Sequence, residues 1–171
     1  MASGATLLML TPLDNTPPAT LGATMDFIVG TSAPVESVPV LDFDDTTVEY
    51  ADFYCLMPRN YGGGGVTLTI YWSAAQATNV AAFSAAFRRV ADDAEDLDTT
   101  AQTYDYNETA DLTPPSVIGE VAYDTLTFTD GADMDSVAVG EYFILRVSRT
   151  APTGTDITGD CSIHAIEVRE T

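Results

Sequence analysis

The chain has 171 residues, enough for one domain with a sizeable core, since a domain of this size buries roughly 70% of its unfolded surface. It carries 26 acidic residues against six arginines and no lysine, and a net charge of −20 repels the phosphate backbone of nucleic acids. No stretch approaches the ~20 apolar residues that a membrane-spanning helix needs. Composition therefore argues against nucleic-acid and membrane partners.

The first 24 residues combine four consecutive apolar residues, Leu7 to Leu10, with prolines at 12, 17 and 18. Prolines at this density exclude a helix or an interior strand. We predict an extended N-terminal arm over 1–24, in which Leu7 to Leu10 could form a short strand. These side chains must be buried against their own domain or against a neighbouring subunit, and the sequence leaves both open.

Residues 25–171 contain many short stretches that alternate apolar and polar side chains, as in strands with one buried face. The clearest is Val66 to Trp72, which follows a loop of four glycines, Gly62 to Gly65. In the last predicted strand the apolar phase shifts between Ala165 and Ile166, which indicates either a bulge or burial on both faces. Strands are predicted over 25–29, 35–43, 48–57, 66–72, 99–106, 121–129, 142–149 and 161–170.

Residues 79–90 are ambiguous between a helix and a strand. Their alanines favour a helix, and Val80, Phe83, Phe87 and Val90 recur at helical spacing. However, Phe83, Ala85 and Phe87 also alternate, and strands are predicted on both sides. We therefore predict a strand.

Eight or nine short strands joined by loops and a few longer crossings are typical of a β-sandwich. The long connections favour Greek-key or jelly-roll wiring over simple hairpins. The predicted fold is all-β: a single antiparallel, jelly-roll-like β-sandwich domain over 25–171, with the N-terminal arm before it. Such folds serve many functions, so the fold alone decides none.

Several segments between residues 48 and 171 together resemble uncharacterised structural proteins of tailed bacteriophages. They are Met57 to Tyr61 with the following glycines, Val66 to Ser73, Ala85 to Arg89 with the acidic stretch 92–98, Phe128 to Gly131, Met134 to Ser136, Gly140 to Glu141, Leu145 to Val147 and Val168 to Thr171. The resemblance implies a jelly-roll capsid cement (decoration) protein or, less often, a tail-associated component. The alanine-rich segment departs from the β-rich sequence expected there, and the arm lies outside the match.

From this resemblance we predict a virion protein on the outer capsid surface that stabilises contacts between capsomers. Its partners would be the major capsid protein and further copies of itself, as a homotrimer. The absence of a positively charged leader segment agrees with a protein that is assembled where it is made. The predicted interface residues are Leu7, Leu8, Met9, Leu10 and Leu21.

The alternative prediction is a tail-fibre or tail-tip domain that binds host glycan. Most tyrosines fall in strands whose alternation explains them, whereas Tyr61, Tyr104 and Tyr106 are left for a surface role. These three residues are the candidates for stacking against sugar rings.

No motif predicts catalysis or a cofactor. The only histidine, His164, lies within a predicted strand and is expected to be structural, because sites are more often carried by loops. The acidic stretch 92–98 could bind calcium but lacks the EF-hand spacing, so a solvated loop is the simpler interpretation. Cys55 and Cys161 are predicted to be buried free thiols, with a disulfide between them as the alternative.

Overall fold

A computed structural model describes residues 4–98 and 103–171. It shows two antiparallel sheets packed as a jelly-roll-like sandwich, which confirms the predicted fold class. The strands are β1 Thr6–Leu10, β2 Thr24–Val29, β3 Ser37–Phe43, β4 Tyr50–Leu56, β5 Val66–Ala74, β6 Ala82–Val90, β7 Asn107–Glu108, β8 Ala122–Phe128, β9 Tyr142–Thr150 and β10 Cys161–Glu170. Two 3-10 turns, Pro12–Asp14 and Ala132–Met134, complete the regular structure of the described residues.

Five strands of the six-stranded sheet follow the order β2-β3-β10-β5-β8, and the sixth, β1, pairs with β10. Strand β10 pairs with β5 along one edge, while β3 and β1 share its other edge, β3 beside Cys161 to Ile163 and β1 beside Ile166 to Arg169. The four-stranded sheet has the order β4-β9-β6-β7. Most neighbours are therefore distant in sequence, as the predicted long crossings require.

The core lies between the two sheets and is centred on β5. Its inward residues Val66, Leu68, Ile70 and Trp72 are fully buried. The Trp72 ring meets the Phe83 ring of the opposite sheet edge-on, with centroids 5.5 Å apart. Trp72 Nε1 donates a hydrogen bond of 2.8 Å to Asp124 Oδ2, so the buried indole N–H has its partner.

Strand β6 confirms the prediction of a strand in the alanine-rich segment. Its pairing with β9 runs from Ala82 opposite Thr150 to Val90 opposite Tyr142, and Phe83 and Phe87 point into the core. The pairing with β9 and the burial of the phenylalanines outweigh the intrinsic preference of alanine for a helix.

The predicted arm lies along its own domain where the structure describes it. Leu10 is buried, and Leu7 and Leu8 pack against the core through β1. Met9 and Leu21 are exposed, so these two members of the predicted interface are available to a partner. Their contact with another subunit, and the domain boundary at residue 24, stay predictions.

Two details of the last strand and its neighbours were predictable from local pattern. The register between β10 and β5 shifts between Ile163 and Ala165, which confirms the predicted bulge within one residue. His164 sits at this shift, and its Nε2 lies 2.8 Å from Ser73 Oγ. Burial lowers the pKa of His164, so the imidazole is neutral at pH 7 and has a structural partner.

Two predictions are wrong within the described residues. Residues 103–106 are not a strand, and only Asn107–Glu108 pairs with β6, whereas 99–102 lie outside the described residues. Tyr61 is buried rather than on the surface, because its hydroxyl donates to Asp130 Oδ1 at 2.7 Å and accepts the Gly65 N–H at 3.0 Å. These bonds hold the phenol against the glycine loop.

Both cysteines are free and buried. Burial raises the pKa of Cys55 to about 11 and that of Cys161 to about 12, against 9.0 for an exposed thiol. The folded state therefore holds both protons after the unfolded chain has lost them. This contribution to stability is complete below pH 9 and is lost as the pH rises toward 11 to 12.

We expect the melting temperature to fall steeply between pH 9 and pH 11. The Cys55→Ala, Cys161→Ala double variant should lose less stability than the wild type over this interval, whatever its stability at pH 8. Thermal unfolding followed by circular dichroism at half-unit steps of pH measures both curves. Parallel curves would show that the thiols do not cause the loss.

Candidate binding face on the four-stranded sheet

The outer face of the four-stranded sheet carries a cluster of tyrosines around one ion pair. Alternation along β4 turns Tyr50, Asp52 and Tyr54 outward, and the β4–β9 register places Arg146 directly opposite Asp52. The same register places Tyr142 beside Leu56 at the end of the face.

Asp52 and Arg146 form a bidentate salt bridge. Arg146 Nε donates to Asp52 Oδ1 at 2.6 Å, and Nη2 donates to Oδ2 at 2.7 Å. Asp52 is only 2% exposed. These bonds to the carboxylate are the main reason that the pKa of Arg146 is raised above its ordinary value, so the guanidinium is both charged and fixed in orientation.

Aromatic rings lie over this guanidinium. Arg146 Cζ is 4.1 Å from the centroid of the Tyr104 ring and 5.1 Å from that of Tyr50, within the range of cation–π contacts. Tyr106 lies beside Tyr104 with 6.0 Å between ring centroids and 31° between planes. Burial raises the pKa of both phenols. The segment that leads into β7 therefore crosses over the sheet.

The floor beneath this segment is made of small side chains. Ser84 and Ala86 point outward from β6 and are nevertheless buried. Ser84 Oγ lies 2.7 Å from Ser148 Oγ on β9, so the two hydroxyls satisfy each other. Ala86, one of the alanines that made β6 look helical, thus lies on the outer face opposite Arg146 in the β6–β9 register.

A second pair of aromatic rings lies where the face is more exposed to solvent. The rings of Tyr54 and Tyr142 are stacked with centroids 6.3 Å apart and 30° between planes. Tyr54 is 46% exposed, and Leu56 beyond it is exposed as well. An open cavity of about 580 Å³ adjoins this end, lined by Leu56 and Tyr142 together with residues 90–93 and 139–141.

Arg88 points outward from β6 near Tyr104 and is only 3% exposed. Its Nη2 donates to the Glu95 carboxylate, which brings the acidic loop 92–98 to the rim of the face. Its Nη1 has no hydrogen-bond partner among the described residues. A buried donor without a partner is costly.

The acidic loop has a structural use in this arrangement. Glu95, one of the acids that raised the possibility of calcium, forms the salt bridge to Arg88. Within residues 4–98 and 103–171 no three histidine, cysteine, aspartate or glutamate side chains converge as metal ligands.

Sequence reasoning selected Tyr104 and Tyr106, and the structure brings both to this face. It missed Asp52, Arg146 and Arg88, together with the strand tyrosines Tyr50, Tyr54 and Tyr142. The available signal was Asp52 itself, a charged residue that lies between two tyrosines on the outward face of a predicted strand. Its partner could not be identified, because Arg146 lies 94 residues away.

None of the helical turns in the described part of the chain is long and apolar enough to cross a membrane. No protein-family model matches the sequence, and no curated protein matches it either.

Solved structures do share the fold. The CBM22-1 xylan-binding domain of Paenibacillus barcinonensis Xyn10C is 10% identical with a TM-score of 0.50, and the match covers 99% of this chain and 97% of that one. The C-terminal family 22 carbohydrate-binding module of Clostridium thermocellum Xyn10B is 13% identical with a TM-score of 0.50, covering 97% and 93%. At such low identity these matches establish a common jelly-roll architecture.

Proposed function

We propose that this chain is a glycan-binding module whose ligand lies on the tyrosine face, defined by Tyr50, Tyr54, Tyr104, Tyr106 and Tyr142. The observation that carries the proposal is the arrangement of these rings around a fixed, buried Asp52–Arg146 pair. Tyrosine combines an apolar ring surface with a hydroxyl, and a sugar likewise presents C–H faces and hydroxyls. Two solved proteins with this fold are named as carbohydrate-binding modules, one of them xylan-binding, which supports the choice.

The parts of the face have separable roles. The pair formed by exposed Tyr54 and half-buried Tyr142 offers an apolar surface on which a sugar ring can stack. Tyr104 and Tyr106 lie side by side, and the contact between Arg146 and the Tyr104 ring holds them in place. An apolar surface with a few fixed polar groups is the usual composition of a ligand site.

The proposal is binding without hydrolysis. A glycosidase needs two carboxyl groups that flank the scissile bond and are free to act as acid, base or nucleophile. On this face both oxygens of Asp52 accept hydrogen bonds from Arg146, and Glu95 is engaged with Arg88. These carboxylates fix the arginines rather than face a substrate.

The capsid cement prediction draws support from the jelly-roll fold alone, and that fold is shared by many unrelated functions. The tyrosine face favours the alternative prediction, glycan binding.

Replacing Tyr104 with alanine is expected to weaken glycan binding about 10- to 100-fold, since an aromatic anchor at the centre of an interface typically contributes this much. Affinity electrophoresis against neutral xylan, β-glucan and galactan identifies the polysaccharide, and isothermal titration calorimetry measures the loss. Tyr106→Ala should weaken binding in the same direction.

The matched control is Tyr123→Ala. Tyr123 is 69% exposed, and its ring lies beside that of Tyr71. Both residues belong to the six-stranded sheet, away from the tyrosine face, so removal of Tyr123 should leave the affinity for glycan unchanged. A folded Tyr104→Ala variant with wild-type affinity would refute this location of the site.

A further inference from the structure

We infer that the tyrosine face selects neutral glycans and rejects glycans that carry carboxylate or sulfate groups. This inference rests on the proposed function and specifies its ligand class. The reason is that each arginine on or beside the face forms a salt bridge with an acidic residue of the same chain.

Arg146 is already paired with a carboxylate of its own chain. Two of its nitrogens are committed to the two oxygens of Asp52 in the geometry that an anionic sugar would otherwise use. The Asp52 carboxylate is buried with it, so the pair presents no net charge to a ligand.

Arg88 is committed in the same way but only in part. Its Nη2 donates to Glu95, and its Nη1, which carries two N–H groups, is buried without a partner among the described residues. Recognition of a carboxylate or sulfate by arginine commonly uses two parallel N–H groups on neighbouring nitrogens, and Nη2 of Arg88 is already engaged by Glu95. Arg89, at the end of the same strand, is paired with Glu141.

The surroundings of the face add negative potential. The loop that supplies Glu95 also carries Asp92, Asp93, Asp96 and Asp98, and Asp105 lies between Tyr104 and Tyr106. The chain has no lysine and a net charge of −20. A cleft lined by one sign of charge repels ligands of that sign over about a Debye length, so an anionic glycan is disfavoured before contact.

The test compares two probes that share one backbone. The first probe is whichever of xylan, β-glucan and galactan binds in the affinity electrophoresis experiment. The second probe is the same polysaccharide after partial chemical sulfation. At 10 mM salt the sulfated form should bind at least tenfold more weakly. The deficit should shrink as salt is raised to 0.5 M, because salt screens repulsion but leaves the steric effect of the sulfate groups unchanged.

Glu95→Gln removes the acid that neutralises Arg88. The affinity ratio of sulfated to neutral probe should then rise at least tenfold relative to the wild type. Asp98→Asn is the matched control, since it removes one charge from the same loop without releasing an arginine, and it should change the ratio less than threefold.

The outcomes separate the two proposals. If the wild type binds the sulfated probe as well as the neutral one at low salt, or if Glu95→Gln and Asp98→Asn act alike, the selectivity inference is wrong while glycan binding stands. If the wild type binds no polysaccharide of the panel in either form, the proposed function fails and the inference fails with it.

Discussion

Replacing Arg146 with methionine is expected to destabilise the fold by about 3–5 kcal/mol, the usual cost of removing one partner of a buried salt bridge. The loss arises because Asp52, which is almost completely buried, would keep its charge without a partner. The rings of Tyr50 and Tyr104 would also lose the cation that they contact. Urea unfolding at pH 7 measures the change in the free energy of unfolding.

The Asp52→Asn, Arg146→Met double variant tests the cause. Once both charges are removed, no buried charge is left unpaired, so the double variant should be more stable than Arg146→Met alone. Arg89→Met, which removes an arginine from a more exposed pair with Glu141, should cost less. A double variant as unstable as the single one would mean that packing, rather than charge, dominates at Arg146.

Replacing Gly65 with alanine is expected to cost about 3–4 kcal/mol, although the residue belongs to a run of four glycines that looks uniformly pliable. Gly65 has φ +84°, and a Cβ there would overlap the carbonyl oxygen of Phe128 on β8. Backbone cannot move aside as a side chain can, so the loop and the start of β5 would have to shift. The same urea experiment measures the effect.

Gly63→Ala provides the comparison within the same loop. Gly63 has φ +81°, but nothing lies within 4 Å of the position of its Cβ. Only the backbone penalty of about 1–2 kcal/mol applies. Equal losses for the two variants would show that the close approach to Phe128 is relieved at no cost.

The parts of the fold that could be predicted are those determined by local pattern. In β5 the alternation of Val66, Leu68, Ile70 and Trp72 fixes which face is buried, and in β10 the phase shift predicts the bulge at His164. Strand β6 required more, because alanine propensity and phenylalanine spacing conflicted and only the neighbouring strands favoured the correct choice.

The site could not be predicted as a unit, because it is assembled by register and by a segment without regular structure. Asp52 and Arg146 are brought together by the β4–β9 pairing, which nothing near either residue specifies. Tyr104 reaches Arg146 from a segment that was predicted to be a strand. Sequence could show that two tyrosines were unexplained by alternation, but not that an arginine paired with a buried carboxylate lies beneath them.

The pairing of β1 with β10 has a practical consequence for engineering. The Gly4 N–H donates to the Glu170 carbonyl at 2.8 Å, and the Glu170 N–H donates to the Ala5 carbonyl at 3.0 Å. The first and last described residues thus leave side by side from the six-stranded sheet, while the tyrosines lie on the other sheet. A short linker could join these ends, or graft the unit into a surface loop of a carrier protein, with the tyrosines still facing outward.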